Sequence, residues 1–158
     1  MSFADNGDDC VEWLGTSYSR MLSADDTGGA MSIVDSVGPP GSGPPRHVHR
    51  DADETFVMLS GEAEFWMAGE TVVKQVGESV FVPRGTEHTF RVTGDKPSRH
   101  LVILTPGGFD GFFYEMAARS LRIPEDMEAV TEAAQRYQLE FTGPPLGAMQ
   151  QEKGRDVS

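Results

Sequence analysis

Three of the chain's four histidines stand near one glutamate: His47, His49 and Glu54, followed by His88. Imidazole and carboxylate are the side chains that bind divalent transition metals, so the first matter is whether the spacing lets them share one ion. His47 and His49 are two residues apart, and side chains at i and i+2 of an extended strand point to the same face. Glu54 lies five residues beyond His49, an odd separation that would send it to the opposite face of an unbroken strand. The chain must therefore bend between them, and Arg50-Asp51-Ala52-Asp53 is polar and turn-prone. Glu54 then opens Thr55-Phe56-Val57-Met58-Leu59, with the branched and aromatic content of a buried strand. His88 arrives on a later strand after Pro83-Arg84-Gly85, where proline fixes φ and glycine can take φ > 0. Three imidazoles and a carboxylate suit one divalent first-row transition metal ion per subunit and leave positions open for water, substrate or dioxygen. Manganese, iron, cobalt, nickel, copper and zinc all accept such a set.

The elements that must position these residues read as strands. Short apolar or alternating runs at 11–14, 18–22, 31–37, 55–59, 63–67, 71–76, 79–82, 88–93 and 101–104 are separated by Gly, Pro and Asp. That rhythm indicates a barrel or sandwich. The loop Gly38-Pro39-Pro40-Gly41-Ser42-Gly43-Pro44-Pro45 cannot be regular structure and delivers the chain to His47, either as an entrance loop or as a plain connector. A hairpin of 88–93 with 98–104 around Gly94-Asp95-Lys96-Pro97 pairs Thr93 with Ser98, His88 with Ile103 and Phe90 with Leu101. In that register His100 points to the other face and is structural. Strand alternation puts Phe56, Met58, Phe90 and Val92 on the inward face with the metal ligands, as substrate pocket, barrel core or both.

After Pro106-Gly107-Gly108 the period changes to that of helices, one over 110–119 and another over 124–138 with Met127, Val130, Ala134 and Tyr137 at helical spacing. Phe112, Phe113 and Met116 on the first would form a lid over an apolar pocket or ordinary core. Residues 147–158 read as a disordered tail.

Composition narrows the classes. A chain of 158 residues suits one domain with a proper hydrophobic core. A net charge of −12 argues against nucleic acid and anionic membrane surfaces, which need clustered Lys and Arg. The single cysteine, Cys10, excludes an internal disulfide. Met1 to Asp9 lacks the apolar stretch of a secretory signal, and nowhere do eighteen apolar residues follow one another, so a cytoplasmic protein is expected.

Gly41-x5-His47-x-His49-x4-Glu54-x6-Gly61 resembles the first cupin motif at every position, and Gly77-x5-Pro83-x-Gly85-x2-His88 resembles most of the second. The stretch between them, residues 62–76, has the compact length seen in small microbial cupins. One position departs: Val92 stands where the second motif usually carries asparagine, which makes the inner wall more apolar without removing a ligand. The resemblance implies an all-β fold, the cupin double-stranded β-helix or jelly-roll barrel, over about residues 10–106. A short α-helical extension at about 108–146 completes a single domain, 1–146. It implies His47, His49, Glu54 and His88 as metal ligands. Pro106 to Phe113 and Tyr137 to Leu146 further resemble the tail of bacterial cupins of quercetin 2,3-dioxygenase type. That implies an oxidoreductase inserting dioxygen into a flavonol or related hydroxylated aromatic, with Glu54 as both ligand and general base. A metal-dependent isomerase or lyase and a non-catalytic small-ligand-binding cupin are the alternatives, since fold alone decides no reaction. A small-molecule substrate is the expected partner. A homodimer is also expected, because the N-terminal strands 11–22 would form an exposed edge needing cover.

Overall fold

Alternation of buried and exposed side chains carries most of the chain up to residue 105 into strands, as in β3, where Ser32, Val34 and Ser36 are buried and their neighbours are not. The computed structural model of the protein describes residues 9–147. The strands are β1 Cys10–Trp13, β2 Thr16–Leu22, β3 Ser32–Gly38, β4 Pro45–His49, β5 Asp53–Ser60 and β6 Glu62–Met67. They continue as β7 Glu70–Gln75, β8 Ser79–Val82, β9 His88–Thr93, β10 Ser98–Thr105 and, after two helices, β11 Leu139–Pro145. The helices are α1 Gly111–Arg119 and α2 Met127–Arg136. Two antiparallel sheets result: six strands in the order β1-β2-β3-β10-β5-β8 and five in the order β11-β4-β9-β6-β7. The chain folds as an all-β jelly-roll barrel with a short helical extension.

Phe56, Phe65, Val80, Val92, Val102 and Leu104 fill the barrel from both sheets. Each such side chain contributes about 1.5–3 kcal/mol by leaving water. The β5–β6 turn depends on Gly61, whose φ is +76° and where a Cβ would stand 2.6 Å from the Pro97 carbonyl oxygen. Only glycine meets both conditions without strain.

The structure departs from the sequence expectation in three places. First, β9 and β10 form no hairpin. β9 pairs with β4 and β6, whereas β10 lies between β3 and β5 in the other sheet. The Gly94–Pro97 connection carries the chain across the barrel instead of folding it back. The two inward faces therefore look at each other, and His100, expected to point away, is a buried inward residue 5.2 Å from Phe90 by ring centroids.

Second, β11 was not legible as a strand. Leu139 and Phe141 pair with His49 and His47. The Gly143-Pro144-Pro145 end conceals the alternation, and prolines are tolerated there because β11 is an edge. Third, α1 packs on β1, with Trp13 edge-on to Phe112 and its indole N–H donating to the Leu121 carbonyl at 2.7 Å. The N-terminal strands thus receive packing from this chain's own extension. Arg20 of β2 reinforces it by pairing with the buried carboxylate of Asp110, immediately before α1. The tail expected at 147–158 falls, apart from Gly147, outside the described residues. Among the described residues, no helix is long and apolar enough to cross a membrane.

Candidate metal centre

His47 and His49 project from β4 and His88 from β9, all on the inner face of the five-stranded sheet, and Glu54 comes from β5 of the opposing sheet. The odd spacing between His49 and Glu54 is resolved by the chain leaving one sheet at His49 and entering the other at Asp53. All four side chains are buried. One ligand-capable atom from each lies within 4.8 Å of every other. Two ligands about 2.1 Å from one ion stand roughly 4.2 Å apart when opposite, so small side-chain movements close the four on a single ion.

Hydrogen bonds set the imidazoles for that role. His47 Nδ1 donates to the Pro45 carbonyl at 2.8 Å and His88 Nδ1 to the Thr86 carbonyl at 2.9 Å. A carbonyl only accepts, so Nδ1 keeps its proton and Nε2 is left facing the centre, the arrangement usual for histidine ligands. His49 Nε2 is buried without a hydrogen bond, 3.4 Å from Glu54 Oε2. An orphaned buried nitrogen aimed at a carboxylate and two further imidazoles is what a cation would satisfy. The donor set of nitrogen and one carboxylate fits a divalent transition metal and not calcium or magnesium, which take oxygen ligands.

The charges agree. Burial holds the His47 imidazole well below its ordinary pKa, and its two neighbouring histidines push it further. Burial alone would raise Glu54, but His49 and His88 outweigh it and hold the carboxyl well below the usual range. His88 is depressed by burial and lifted more by the hydrogen bond and charge of Glu54, 3.0 Å away, for a net rise. The carboxylate is thus ionised among three nitrogens that lack other partners on Nε2.

His47, His49 and Glu54 open into a cavity of about 370 Å³, within the roughly 300–1,000 Å³ that small organic ligands occupy. Its walls are aromatic and apolar. Of the residues expected to form a pocket, Phe56, Phe90 and Val92 line it; Met58 does not, being buried in the core. The loop before β4 is part of the wall: Gly41 N–H donates to the Val92 carbonyl and Val92 N–H to that of Ser42. Gly43 lies so close to β9 that a Cβ would collide with the Phe90 carbonyl oxygen at 1.9 Å.

Several lining residues were not identified from the sequence. His100 enters through the sheet crossing described above. Leu139 and Phe141 enter with β11, and Tyr18 through inward alternation on β2, where burial raises its phenol pKa. Phe109 packs edge-on to His49 at 4.3 Å, and Phe113 stacks on Tyr18 at 4.2 Å. Phe112 both lines the cavity and is 2% exposed, so it is core and cavity wall together.

Comparison with known proteins agrees with this architecture. The cupin domain family matches residues 36–104, the span holding all four clustered side chains. A quercetin 2,3-dioxygenase from Bacillus subtilis is 31% identical over 100 residues, which is 63% of this chain. The match spans only 29% of that protein's length. Among solved structures, KdgF from Halomonas superposes with a TM-score of 0.61 at 17% identity, covering 70% of this chain and 99% of that one. The cupin domain of Schizosaccharomyces pombe Cnp3 gives 0.57 at 13% identity, covering 79% and 84%. At such identities the structures testify to the fold alone. Matched domain, jelly-roll barrel and His-rich inner face together support a cupin domain at residues 36–104.

Proposed function

We propose that the chain is a metal-dependent oxidoreductase of quercetin 2,3-dioxygenase type, adding dioxygen to a flavonol or a related hydroxylated aromatic. The observation that carries this reading is the cavity itself. Phe56, Phe90, Phe109 and Phe113 surround it, Glu54 is its single carboxylate, and no lysine or arginine lines it among the described residues. A planar, uncharged aromatic suits such walls, whereas a phosphorylated or dicarboxylate substrate would find no cationic side chain to offset its charge. The relationship to the longer Bacillus subtilis quercetin 2,3-dioxygenase supports the same class.

His47, His49, His88 and Glu54 would hold one divalent transition metal. When bound, the metal supplies Lewis acidity that favours the deprotonated form of a substrate hydroxyl. The protein's own groups do the rest. Glu54, ionised and buried, accepts the hydroxyl proton, and the rings of Phe56 and Phe90 hold the substrate plane. Phe109, set against His49, keeps water from the reacting end of the cavity. Each event requires that the substrate hydroxyl approach Glu54, the group that limits where it can bind.

Oxygen consumption by metal-analysed protein, reconstituted with each candidate metal and offered flavonols and simpler phenols, tests the proposal. Metal-dependent uptake matched to substrate loss, absent in His49→Ala, is expected. A fully metallated protein that consumes no oxygen would move the assignment to cupin chemistry without dioxygen.

A further inference from the structure

The cavity has a second polar end. His100 on β10 lines it and is 2% exposed, and its Nδ1 is buried with no hydrogen-bond partner. Leaving a buried nitrogen in that condition is costly, and folded proteins retain few of them. Strand register fixes where this end lies. In the β10–β5 pairing Leu104 stands opposite Glu54 and His100 opposite Met58. The four residues from Glu54 to Met58 rise about 13 Å at roughly 3.3 Å per residue, which separates the levels of the imidazole and the ligand cluster along the barrel.

The space between is aromatic. Phe56 and Phe90 meet His100 edge-to-face, with centroids 5.6 and 5.2 Å away. Ser36, opposite His100 in the pairing with β3, adds a hydroxyl to the same end of the cavity. Burial keeps the imidazole neutral, so it offers one donor and one acceptor and no charge. A hydroxyl is the substituent that fits this combination.

We propose that His100 is a substrate-positioning residue, hydrogen-bonding a second hydroxyl of an elongated, uncharged aromatic whose first hydroxyl meets Glu54. This rests on the proposed function and narrows its substrate class. A monohydroxylated aromatic satisfies one end and leaves His100 unpaired. A single-ring phenol is too short to reach both. The cavity therefore selects multi-ring aromatics with hydroxyls at opposite ends.

Anaerobic binding to the metallated protein tests this independently of turnover. Quenching of tryptophan fluorescence would be followed for two flavonols that share the 3-hydroxyl and differ by one hydroxyl on the remote ring. The wild type is expected to bind the compound with the remote hydroxyl about tenfold more tightly. His100→Leu should bind both equally, and His100→Gln, which keeps a donor and an acceptor, should retain a preference. Equal binding by the wild type overturns the role of His100 and requires no variant to fold. A preference undiminished in His100→Leu, at unchanged metal content, overturns it as well, in either case with the dioxygenase reading intact. Binding of neither flavonol by the wild type removes the flavonol reading and this inference together.

Discussion

His47 on β4 and His88 on β9 are direct cross-strand partners, with ring centroids 4.3 Å apart. Both belong to the five-stranded sheet, and Glu54 approaches from the six-stranded one, so the cluster joins the two halves of the barrel. The rigidity of paired strands holds the imidazoles near the geometry a metal needs, with the Thr86 carbonyl before β9 fixing the His88 ring.

His49→Ala should abolish tight metal binding, lowering affinity at least about 100-fold, and leave the barrel folded. His49 Nε2 makes no hydrogen bond in the chain and faces only Glu54 at 3.4 Å, so truncation removes the proposed ligand and no hydrogen bond that the fold relies on. Metal analysis beside circular dichroism checks this; stoichiometric metal held with unchanged affinity would reject the assigned centre.

Glu54→Gln should lower turnover about 100-fold or more, the usual contribution of a general base, and reduce metal occupancy far less because three imidazoles remain. Oxygen-uptake rates set against metal content per chain separate the two effects. Wild-type turnover would remove Glu54 from the chemistry.

Stability should fall as pH drops from about 6.5 towards 4, in part through His100. Burial holds its imidazole at about 4, against only partial opposition from the charges of Glu54 and Asp35. An unfolded histidine gains its proton near 6.5, so between these values the unfolded chain binds more protons and folding weakens. The wild type should lose about 2–3 kcal/mol more than His100→Leu between pH 7 and 4.5. Urea unfolding at the two pH values measures it, and parallel losses in both proteins would contradict it.

Arg20→Ala should destabilise the protein by about 3 kcal/mol. The Asp110 carboxylate is 3% exposed and takes its charge partner from Arg20, so truncation leaves a buried charge unpaired. A loss below about 1 kcal/mol in urea unfolding would assign the pair the modest value of an exposed one.

The strands themselves were legible, because two-residue alternation and Gly or Pro punctuation are local properties. β5, β6, β8 and β9 lie within a residue or two of where the runs place them. The candidate ligands were legible for the same reason: His-x-His spacing and the turn before Glu54 are local. Strand partners were not. The 94–97 segment reads equally well as a hairpin turn or as a crossing between sheets, and choosing the hairpin reversed the facing of His100. Met58 shows a similar limit. Alternation states that it points inward but not whether it reaches the cavity or packs into the core beside it.

The sequence by itself determined the all-β class, the inward set on each strand and the residues able to hold a metal, since these follow from residue type and a period of two. Only the tertiary structure decided which sheet each strand joins, that β11 and α1 line the cavity with Phe141 and Phe112, and that His100 faces Phe56 and Phe90. Those outcomes depend on contacts between residues far apart in the chain. Such contacts are set by how two twisted sheets and a helical extension bury their apolar faces together, and no local pattern encodes them.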